Sequence, residues 1–370
     1  MHKVLVVTEE GRGGGALGRI RLVADALQGK IETIVLAPSS ADKYINSLES
    51  LNIKTYSTNL HPLSSNFVYF LKYLIWFIPE IWSICNIIKD VRPDLVHCNG
   101  SWQIKGILAA RVMGIKSIWQ MNDTYQPKPV LYLFKLLGYL PTAFIHASTR
   151  TRTYYNAIST ALANKIERII QAPVVKQITI QNRPHVFQRS PLRLILVGYI
   201  NPHKGIDILI EALSFIASFE VECDIVGPVL ETKSDYKREL DMLATAKGVK
   251  LNFLGFKKVD HNLFKGYDFY CCSSRREASP MSVWEALSYG LPVISTPVGD
   301  IAEIVAEYKC GYMATDLTPE ALAGAIKAAQ VVDQVTYDKM SQASLKASAL
   351  FDHQKIAEQY LSFYSEVISA

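Results

Sequence analysis

Two glutamates, Glu277 and Glu285, stand eight residues apart in the stretch RREASPMSVWEAL. An apolar run over 267–272 predicts a short buried strand before them, and the pattern over 281–289 predicts a helix after them. Glu277 is therefore expected in the loop at the carboxyl end of a strand, and Glu285 about two turns into the helix. Two carboxylates placed in this way can accept hydrogen bonds from hydroxyl groups of a bound ligand.

The start of this helix is a second chemical feature. Ser279 is a good N-cap and Pro280 suits the first helical position, which leaves the following N–H groups unpaired. Unpaired N–H groups at a helix N-terminus attract anions. An anion site bracketed by Glu277 and Glu285 suits a ligand with hydroxyls on both sides of a phosphate, such as a nucleotide sugar.

Lys204 lies in the stretch VGYINPHKGID, where a strand gives way to a helix. A lysine at a helix N-terminus opposes the helix macrodipole, so it is placed against local stability. A phosphate held between the ammonium and the free N–H groups would account for it. A solvated loop lysine is the other interpretation, and the nearby Glu277 turn favours the phosphate.

A glycine loop over 11–18 follows the first predicted strand, and Gly13, Gly15 and Gly18 match the GxGxxG spacing. A dinucleotide site also needs a carboxylate after the second strand, but the residues over 36–39 are Leu-Ala-Pro-Ser, which disfavours a dehydrogenase. Two interpretations of the glycine loop remain: it lets a ligand approach the backbone closely, or it is a flexible tight turn.

The order of elements predicts two α/β domains. The chain has 370 residues, of which 49% are hydrophobic, and strand and helix patterns alternate in both halves with a polar stretch over 181–185. We expect two doubly wound parallel sheets facing a cleft, over residues 1–185 and 186–348, and a terminal helix over 349–370 that packs back toward the first domain.

The net charge of +5 is unevenly distributed. Residues 1–185 hold 21 Lys and Arg against 11 Asp and Glu, and residues 186–370 hold 18 against 23, which gives +10 and −5. The basic half suggests an anionic surface or substrate, although a solvated basic surface explains it equally well. Six cysteines without CxxC spacing predict reduced core residues of a cytoplasmic protein, and no leader segment is expected before the first strand.

The most apolar stretches are 67–88 and 130–140. Lys72, Pro79 and Glu80 interrupt the first, which disfavours a transmembrane helix. Its aromatic residues and the nearby lysines suit a surface that dips into one membrane leaflet. Buried core helices are the alternative, and we expect core packing for the helix backbones and membrane contact for their exposed faces.

The sequence contains no HExxH, GxSxG or D-x-D motif, so no metal site or bound cofactor is expected. A basic helix with interleaved aromatic residues is also missing, so nucleic acid is not an expected partner.

In order along the chain, the segments VG…KGID, IVG, FLGF and the long stretch from YDFY to GDIAEIV resemble the retaining glycosyltransferases of family 4, which have the GT-B fold. The resemblance covers nearly the whole chain. It implies a metal-independent transfer of a hexose-type sugar from a nucleoside-diphosphate sugar, often to a lipid-linked glycan acceptor at the cytosolic membrane face, in polysaccharide or glycolipid assembly.

The resemblance also implies roles for individual residues. Glu277 would hold the donor sugar near the reacting carbon, Lys204 would neutralise the leaving diphosphate, and Glu285 would bind the ribose. The remaining implied contacts are donor contacts at Gly198, at Arg276 and at the backbone N–H groups around Pro280, Met281 and Ser282, and phosphate or acceptor contacts at Gly14 and Gly15.

The sequence departs from the family pattern at three positions. Tyr199 replaces an arginine, so a phosphate contact would have to come from Arg12, His203, Arg275 or Arg276. Asn122 stands near the place of a histidine, where it could hydrogen-bond a sugar hydroxyl but could not carry a proton. Ala278 replaces a glycine. A sugar-nucleotide epimerase of the same fold and a non-catalytic nucleotide-sugar-binding protein therefore remain alternatives.

Overall fold

The computed structural model describes residues 1–11, 14–63, 67–159, 162, 165–175, 190–216, 220–229 and 234–370. Two compact units divide these residues: Met1–Pro173 with His353–Ala370, and Val174–Asp352. The predicted change of domain at 185/186 lies outside the described residues, and the compact units change at Pro173 instead. The terminal segment of the first unit begins at His353 rather than at 349.

The strands are β1 Lys3–Val7, β2 Glu32–Pro38, β3 Lys54–Thr58, β4 Leu95–Asn99, β5 Ser117–Met121, β6 Ala143–His146, β7 Ile166–Ile169, β8 Leu192–Val197, β9 Val221–Val226, β10 Leu251–Phe253, β11 Phe269–Cys272, β12 Val293–Ser295 and β13 Gly311–Met313. The helices are α1 Gly15–Ala26, α2 Asp42–Glu49, α3 Phe67–Val91, α4 Lys105–Val112, α5 Lys128–Leu137, α6 Thr149–Ile158, α7 Ile206–Ser214, α8 Ser234–Lys247, α9 His261–Phe264, α10 Met281–Ser288, α11 Ile301–Tyr308, α12 Pro319–Gln330, α13 Gln334–Ser348 and α14 His353–Ser369.

Each unit is built on one parallel sheet. The first sheet has the strand order β3-β2-β1-β4-β5-β6-β7, and the second has the order β10-β9-β8-β11-β12-β13. In the first, Val4 is opposite Thr33 of β2 and Leu95 of β4. The order reverses direction next to β1 and next to β8, which is the arrangement of a doubly wound sheet. The prediction of two Rossmann-like domains, each on a doubly wound parallel sheet, is confirmed.

Helices cover both faces of the first sheet. Helices α1 and α14 bury one face, and Tyr360, Phe363 and Tyr364 of α14 are part of that core. The other face packs against α3 to α6, with Ile84 of α3 and Phe134 of α5 in one cluster. Because both faces of the sheet are buried, its strands consist of nearly continuous hydrophobic runs.

The second sheet carries the same kind of core. Its main cluster joins β8, β9 and β11 with α7, α8 and α12. On α10 the ring of Trp284 stacks on Phe351 with the centroids 4.0 Å apart. All six cysteines are buried and free, as expected of reduced core residues.

Candidate functional site

Two neighbouring strand ends in the second unit bring the predicted catalytic pair together. Strands β8 and β11 are adjacent and parallel, so the loops that follow them leave the same edge of the sheet. Lys204 comes from the first loop and Glu277 from the second, and Lys204 Nζ lies 2.7 Å from Glu277 Oε1. Ser274 Oγ donates to the same carboxylate oxygen at 2.8 Å. This contact of Ser274 was not predicted, although its position three residues before Glu277 is a usual spacing for such a bond.

The lysine of this pair is charged at neutral pH. Burial lowers the pKa of Lys204, but the neighbouring Glu277 carboxylate more than offsets this and holds the pKa above its ordinary value. Both side chains keep some access to solvent, 21% for Lys204 and 15% for Glu277. The pair therefore offers one positive and one negative group to a ligand at the carboxyl edge of the sheet.

Gly198 makes room for Lys204. A Cβ on Gly198 would lie 2.7 Å from Lys204 Cε, and its φ of +159° is one that residues with a side chain rarely adopt. The lysine therefore crosses directly over the end of β8 at a place where only glycine fits. This gives Gly198 a positioning role, beside the donor contact expected from the sequence.

Substituting Gly198 by alanine should displace Lys204 and lower turnover by about tenfold or more, because small misplacements of a catalytic group are costly. Steady-state kinetics and a melting curve would separate lost activity from lost folding. Gly324→Ala is a matched control, since a Cβ there meets no atom within 4 Å. Equal kinetics in both variants would show that the position of Lys204 does not depend on Gly198.

Arg275 fixes the turn that carries Lys204. Its guanidinium donates to Asp207 Oδ1 at 2.7 Å and to Pro202 O at 2.9 Å. The backbone N–H of Arg275 donates to His203 O at 2.7 Å. Burial raises the pKa of Asp207, but hydrogen bonds from Arg275 and Tyr236 outweigh burial and keep it below its ordinary value.

The guanidinium of Arg275 is thus bound to protein groups, which makes it a poor candidate for the missing phosphate contact. Two other candidates, His203 and Arg276, line a cavity of about 580 Å³ whose lining does not include Lys204, Glu277 or Glu285. Arg12 lies outside the described residues.

Helix α10 begins at Met281, as the pattern over 281–289 predicts, but its N-cap is one residue later than predicted. Pro280 is its N-cap, and Ser279 does not cap the helix but accepts a hydrogen bond from Trp284 Nε1 at 3.0 Å. The first helical N–H groups that donate to a backbone carbonyl are those of Val283 and Trp284, both to Pro280 O. In the described part of the chain, the N–H groups of Met281 and Ser282 make no such bond, and Pro280 has no N–H to offer.

Glu285 lies on α10 without a protein partner. Among the described residues, its half-buried carboxylate has no hydrogen bond and no salt bridge. Burial alone raises the pKa of Glu285 from 4.5 to about 7. A carboxylate of this kind gains most from a ligand that donates hydrogen bonds to it, such as a pair of vicinal hydroxyls.

Donor affinity should therefore rise with pH. A ligand that donates hydroxyls to Glu285 favours the ionised form, so binding of a nucleotide sugar should tighten by up to about tenfold from pH 6 to pH 8. Calorimetric titration measures this, with a nucleotide sugar chosen because its bridged diphosphate lacks the second phosphate ionisation near pH 6. The Glu285→Gln variant should bind the nucleotide sugar weakly, with an affinity that does not change with pH. If its affinity changes with pH as in the wild type, another group causes the pH dependence.

The Glu285 carboxyl also makes the stability of the fold depend on pH. A carboxyl whose pKa is higher in the folded than in the unfolded protein destabilises the fold as pH rises from 4.5 toward 7. Without ligand, Glu285→Gln should melt above the wild type at pH 8, and the difference should shrink toward pH 4.5. This readout needs no substrate, and a lower melting temperature for the variant at pH 8 would contradict it.

In the first unit, the glycine loop opens helix α1. Gly14 is the N-cap and Gly15 is the first helical residue, and both are exposed. The N-terminus of α1 is therefore exposed at these two residues, whereas Gly13 lies outside the described residues. In the part of the chain that the structure describes, no three His, Cys, Asp or Glu side chains are grouped so that they could hold a metal ion.

Asn122 is tied into a buried polar network of the first unit. Its Oδ1 accepts from Arg19 Nη1 and from Gln120 Nε2, both at 2.8 Å, and its Nδ2 donates to Asn99 Oδ1 at 3.0 Å. Gln120 in turn accepts from the Tyr360 hydroxyl of α14 at 2.9 Å. These bonds leave Asn122 one N–H for a ligand, so its predicted contact with a sugar hydroxyl is limited to that single donor.

Two family models match adjoining parts of the chain. The family model described as Glycosyltransferase Family 4 matches residues 13–182, and the model described as Glycosyl transferases group 1 matches residues 177–346. A subunit of the phosphatidylinositol N-acetylglucosaminyltransferase of Saccharomyces cerevisiae is 22% identical over 312 residues, which cover 79% of this chain and 68% of the relative.

Solved structures give the same fold. The crystal structure of Anabaena HepE in complex with UDP-glucose has a TM-score of 0.82 at 20% identity and covers 99% of this chain and 100% of that one. The lipopolysaccharide outer core galactosyltransferase WaaB has a TM-score of 0.69 at 16% identity, with coverage of 99% and 100%.

Proposed function

The chain belongs to glycosyltransferase family 4 and has its two-domain GT-B fold, and from this premise we propose a retaining, metal-independent transfer of a hexose-type sugar from a nucleoside diphosphate to a glycan acceptor. The observation that carries the proposal is the contact between Lys204 and Glu277, 2.7 Å apart at the edge of the second sheet. A charged lysine and the free N–H groups of α10 suit a diphosphate, and a neighbouring carboxylate suits a sugar hydroxyl.

The proposed reaction breaks the bond between the anomeric carbon and the diphosphate oxygen. The departing diphosphate takes the electron pair, and Lys204 with the N–H groups of Met281 and Ser282 stabilises the charge that develops on it. Glu277 orients the sugar through its hydroxyls. The acceptor oxygen bonds to the same face of the anomeric carbon and gives its proton to the departing phosphate oxygen, so no further base is required.

Glu285 is proposed to anchor the nucleotide through the ribose hydroxyls. Its lack of a protein partner and its raised pKa support this role. The UDP-glucose in the HepE structure makes uridine nucleotides the first donors to test.

The acceptor is proposed to be lipid-linked and to bind to the first unit, near Gly14 and Gly15, on the cytoplasmic face of a membrane. The excess of ten positive charges in residues 1–185 supports an anionic acceptor or surface. Polysaccharide or glycolipid assembly would supply such an acceptor.

The reaction can be tested by following nucleoside diphosphate release from a panel of nucleotide sugars, with and without lipid-linked acceptors. Proton NMR of the product then gives the anomeric configuration, and retention together with acceptor-dependent release is the expected result. Isomerisation of the sugar nucleotide without acceptor would identify an epimerase instead. Binding without any turnover would identify a non-catalytic protein.

A further inference from the structure

The first half of helix α3 exposes apolar side chains over most of its circumference. We define residues 68–78 as the α3 arm. Eight of its apolar residues have between 39% and 69% of their surface exposed. Successive residues of a helix are about 100° apart, so these side chains spread over about three quarters of the circumference. They are Val68, Tyr69, Phe70, Leu71, Leu74, Ile75, Trp76 and Ile78. The remaining side holds the buried Tyr73, whose ring centroid lies 4.1 Å from Lys105 Nζ.

The second half of α3 is part of the core of the first unit. Ile84, Ile88 and Val91 are buried against the sheet. At the junction, Glu80 is buried and paired with Lys105, whose ammonium also donates to His61 O at 2.6 Å. By length and composition, 68–91 could cross a membrane, but half of it is occupied by these contacts. The arm alone is about 16 Å long, which reaches into one leaflet but not across a bilayer.

Helix α5 carries a second set of exposed apolar side chains. Tyr132, Leu133 and Leu136 are exposed on it, and Tyr139 is exposed just beyond its end. Helices α3 and α5 cover the same face of the first sheet. Each follows a strand of a parallel sheet, so both begin at the carboxyl edge, where ligands of such sheets bind.

The charge around the surface has one sign. Residues 61–79 and 124–142 contain no Asp or Glu, but they contain Lys72, Lys128 and Lys135. Apolar side chains with tyrosine, tryptophan and flanking lysines are suited to the interface of an anionic membrane, where the rings lie at headgroup depth and the ammonium groups contact lipid phosphates.

We propose that the α3 arm and the exposed face of α5 dock into the surface of an anionic phospholipid bilayer. A protein partner or a second copy of the chain would cover one stripe of the helix and leave the other sides in water. Lipid chains contact an inserted helix on every side that protein does not cover, which matches the exposure of all sides of the arm except that of Tyr73. Docking at the carboxyl edge would hold the first unit against lipid-anchored molecules, and it does not depend on the transfer reaction itself.

Flotation with lipid vesicles tests the proposal. The full-length protein should float with vesicles of equal parts phosphatidylcholine and phosphatidylglycerol, and less with phosphatidylcholine alone. Ile75→Asp/Ile78→Asp should reduce the bound fraction about tenfold or more, because a carboxylate is strongly disfavoured among lipid chains. Met242→Asp/Val331→Asp is the matched control, since both residues are as exposed but lie in the second unit.

Two further measurements separate docking from folding and from the donor site. All variants should keep their melting temperatures and their response to nucleotide sugars. Lipids brominated on the acyl chains should quench tryptophan emission of the wild type, and Trp76→Phe/Trp82→Phe should remove most of that quenching. The proposal is wrong if the wild type stays unbound with both vesicles or if the Asp variant floats like wild type. It is also wrong if the wild type is a dimer without lipid affinity and the Asp variant a monomer.

Discussion

Replacing Lys204 by methionine should lower kcat at saturating donor by about 100- to 1000-fold, the usual effect of removing one preorganised group that stabilises developing charge. Methionine keeps the length of the side chain and removes only the ammonium. The charge on a diphosphate grows as the glycosidic bond breaks, so the loss should appear in kcat more than in donor affinity. Initial rates of nucleoside diphosphate release over a range of donor concentrations measure both parameters.

Lys258→Met is the matched control, because Lys258 is an exposed lysine of the same unit. It should leave both parameters unchanged. Melting curves exclude simple unfolding, since Lys204→Met also removes the contact with Glu277 and should lower the melting temperature slightly. A variant that is folded and turns over at the wild-type rate would refute the assigned role of Lys204.

Glu277→Gln should lower kcat/KM by about 100-fold while strengthening the binding of the free nucleoside diphosphate. The amide keeps the shape but not the charge, so it holds sugar hydroxyls less firmly. The lost carboxylate also stops competing with phosphate for Lys204, which it approaches to 2.7 Å in the free protein. Calorimetric titration with nucleoside diphosphates and initial-rate kinetics measure the two effects.

The opposite directions of these effects distinguish a substrate-binding carboxylate from a structural one. If Glu277 had only a structural role, its replacement would weaken both turnover and nucleotide binding. Glu303→Gln provides the control, because Glu303 is an exposed residue in the first turn of α11. The double variant Lys204→Met/Glu277→Gln should lose less than the product of the single effects, since the two groups are in contact.

Much of the fold could be predicted from the sequence, because its parallel strands are buried on both faces and read as short apolar runs. The apolar runs over 117–121 and 293–295 coincide with β5 and β12, and the predicted strand over 267–272 contains β11. Strands β7 and β13 were missed. Both lie at the edge of a sheet and their residues are only half-buried, so no apolar run marks them.

The candidate site could be predicted in its parts but not in its contacts. Lys204 and Glu277 are 73 residues apart, and their contact follows from β8 lying next to β11, an order that residue patterns do not specify. Arg275 was expected as a possible phosphate ligand because it is a cation near the turn. Its pairing with Asp207, 68 residues away, depends on the same strand order.

Asn122 illustrates a different limit. Its type and its place after β5 suggest a ligand contact, and this inference treats the side chain as unoccupied. The structure shows that Arg19, Gln120 and Asn99 already use three of its four hydrogen-bonding positions. Glu285 is the opposite case: its sequence neighbours Val283, Trp284, Ala286 and Leu287 are apolar, which disfavours a fully solvated side chain, and the structure half-buries it.

The most direct test of the donor site is thermal stabilisation of the wild type and of Glu285→Ala by a panel of nucleoside diphosphates and nucleotide sugars. A ligand that binds only the native state raises the melting temperature according to its concentration and affinity. The site described above predicts a clear rise with one nucleotide family, starting with uridine nucleotides, and its loss in the variant. No rise with any nucleotide, or the same rise in both proteins, would contradict it.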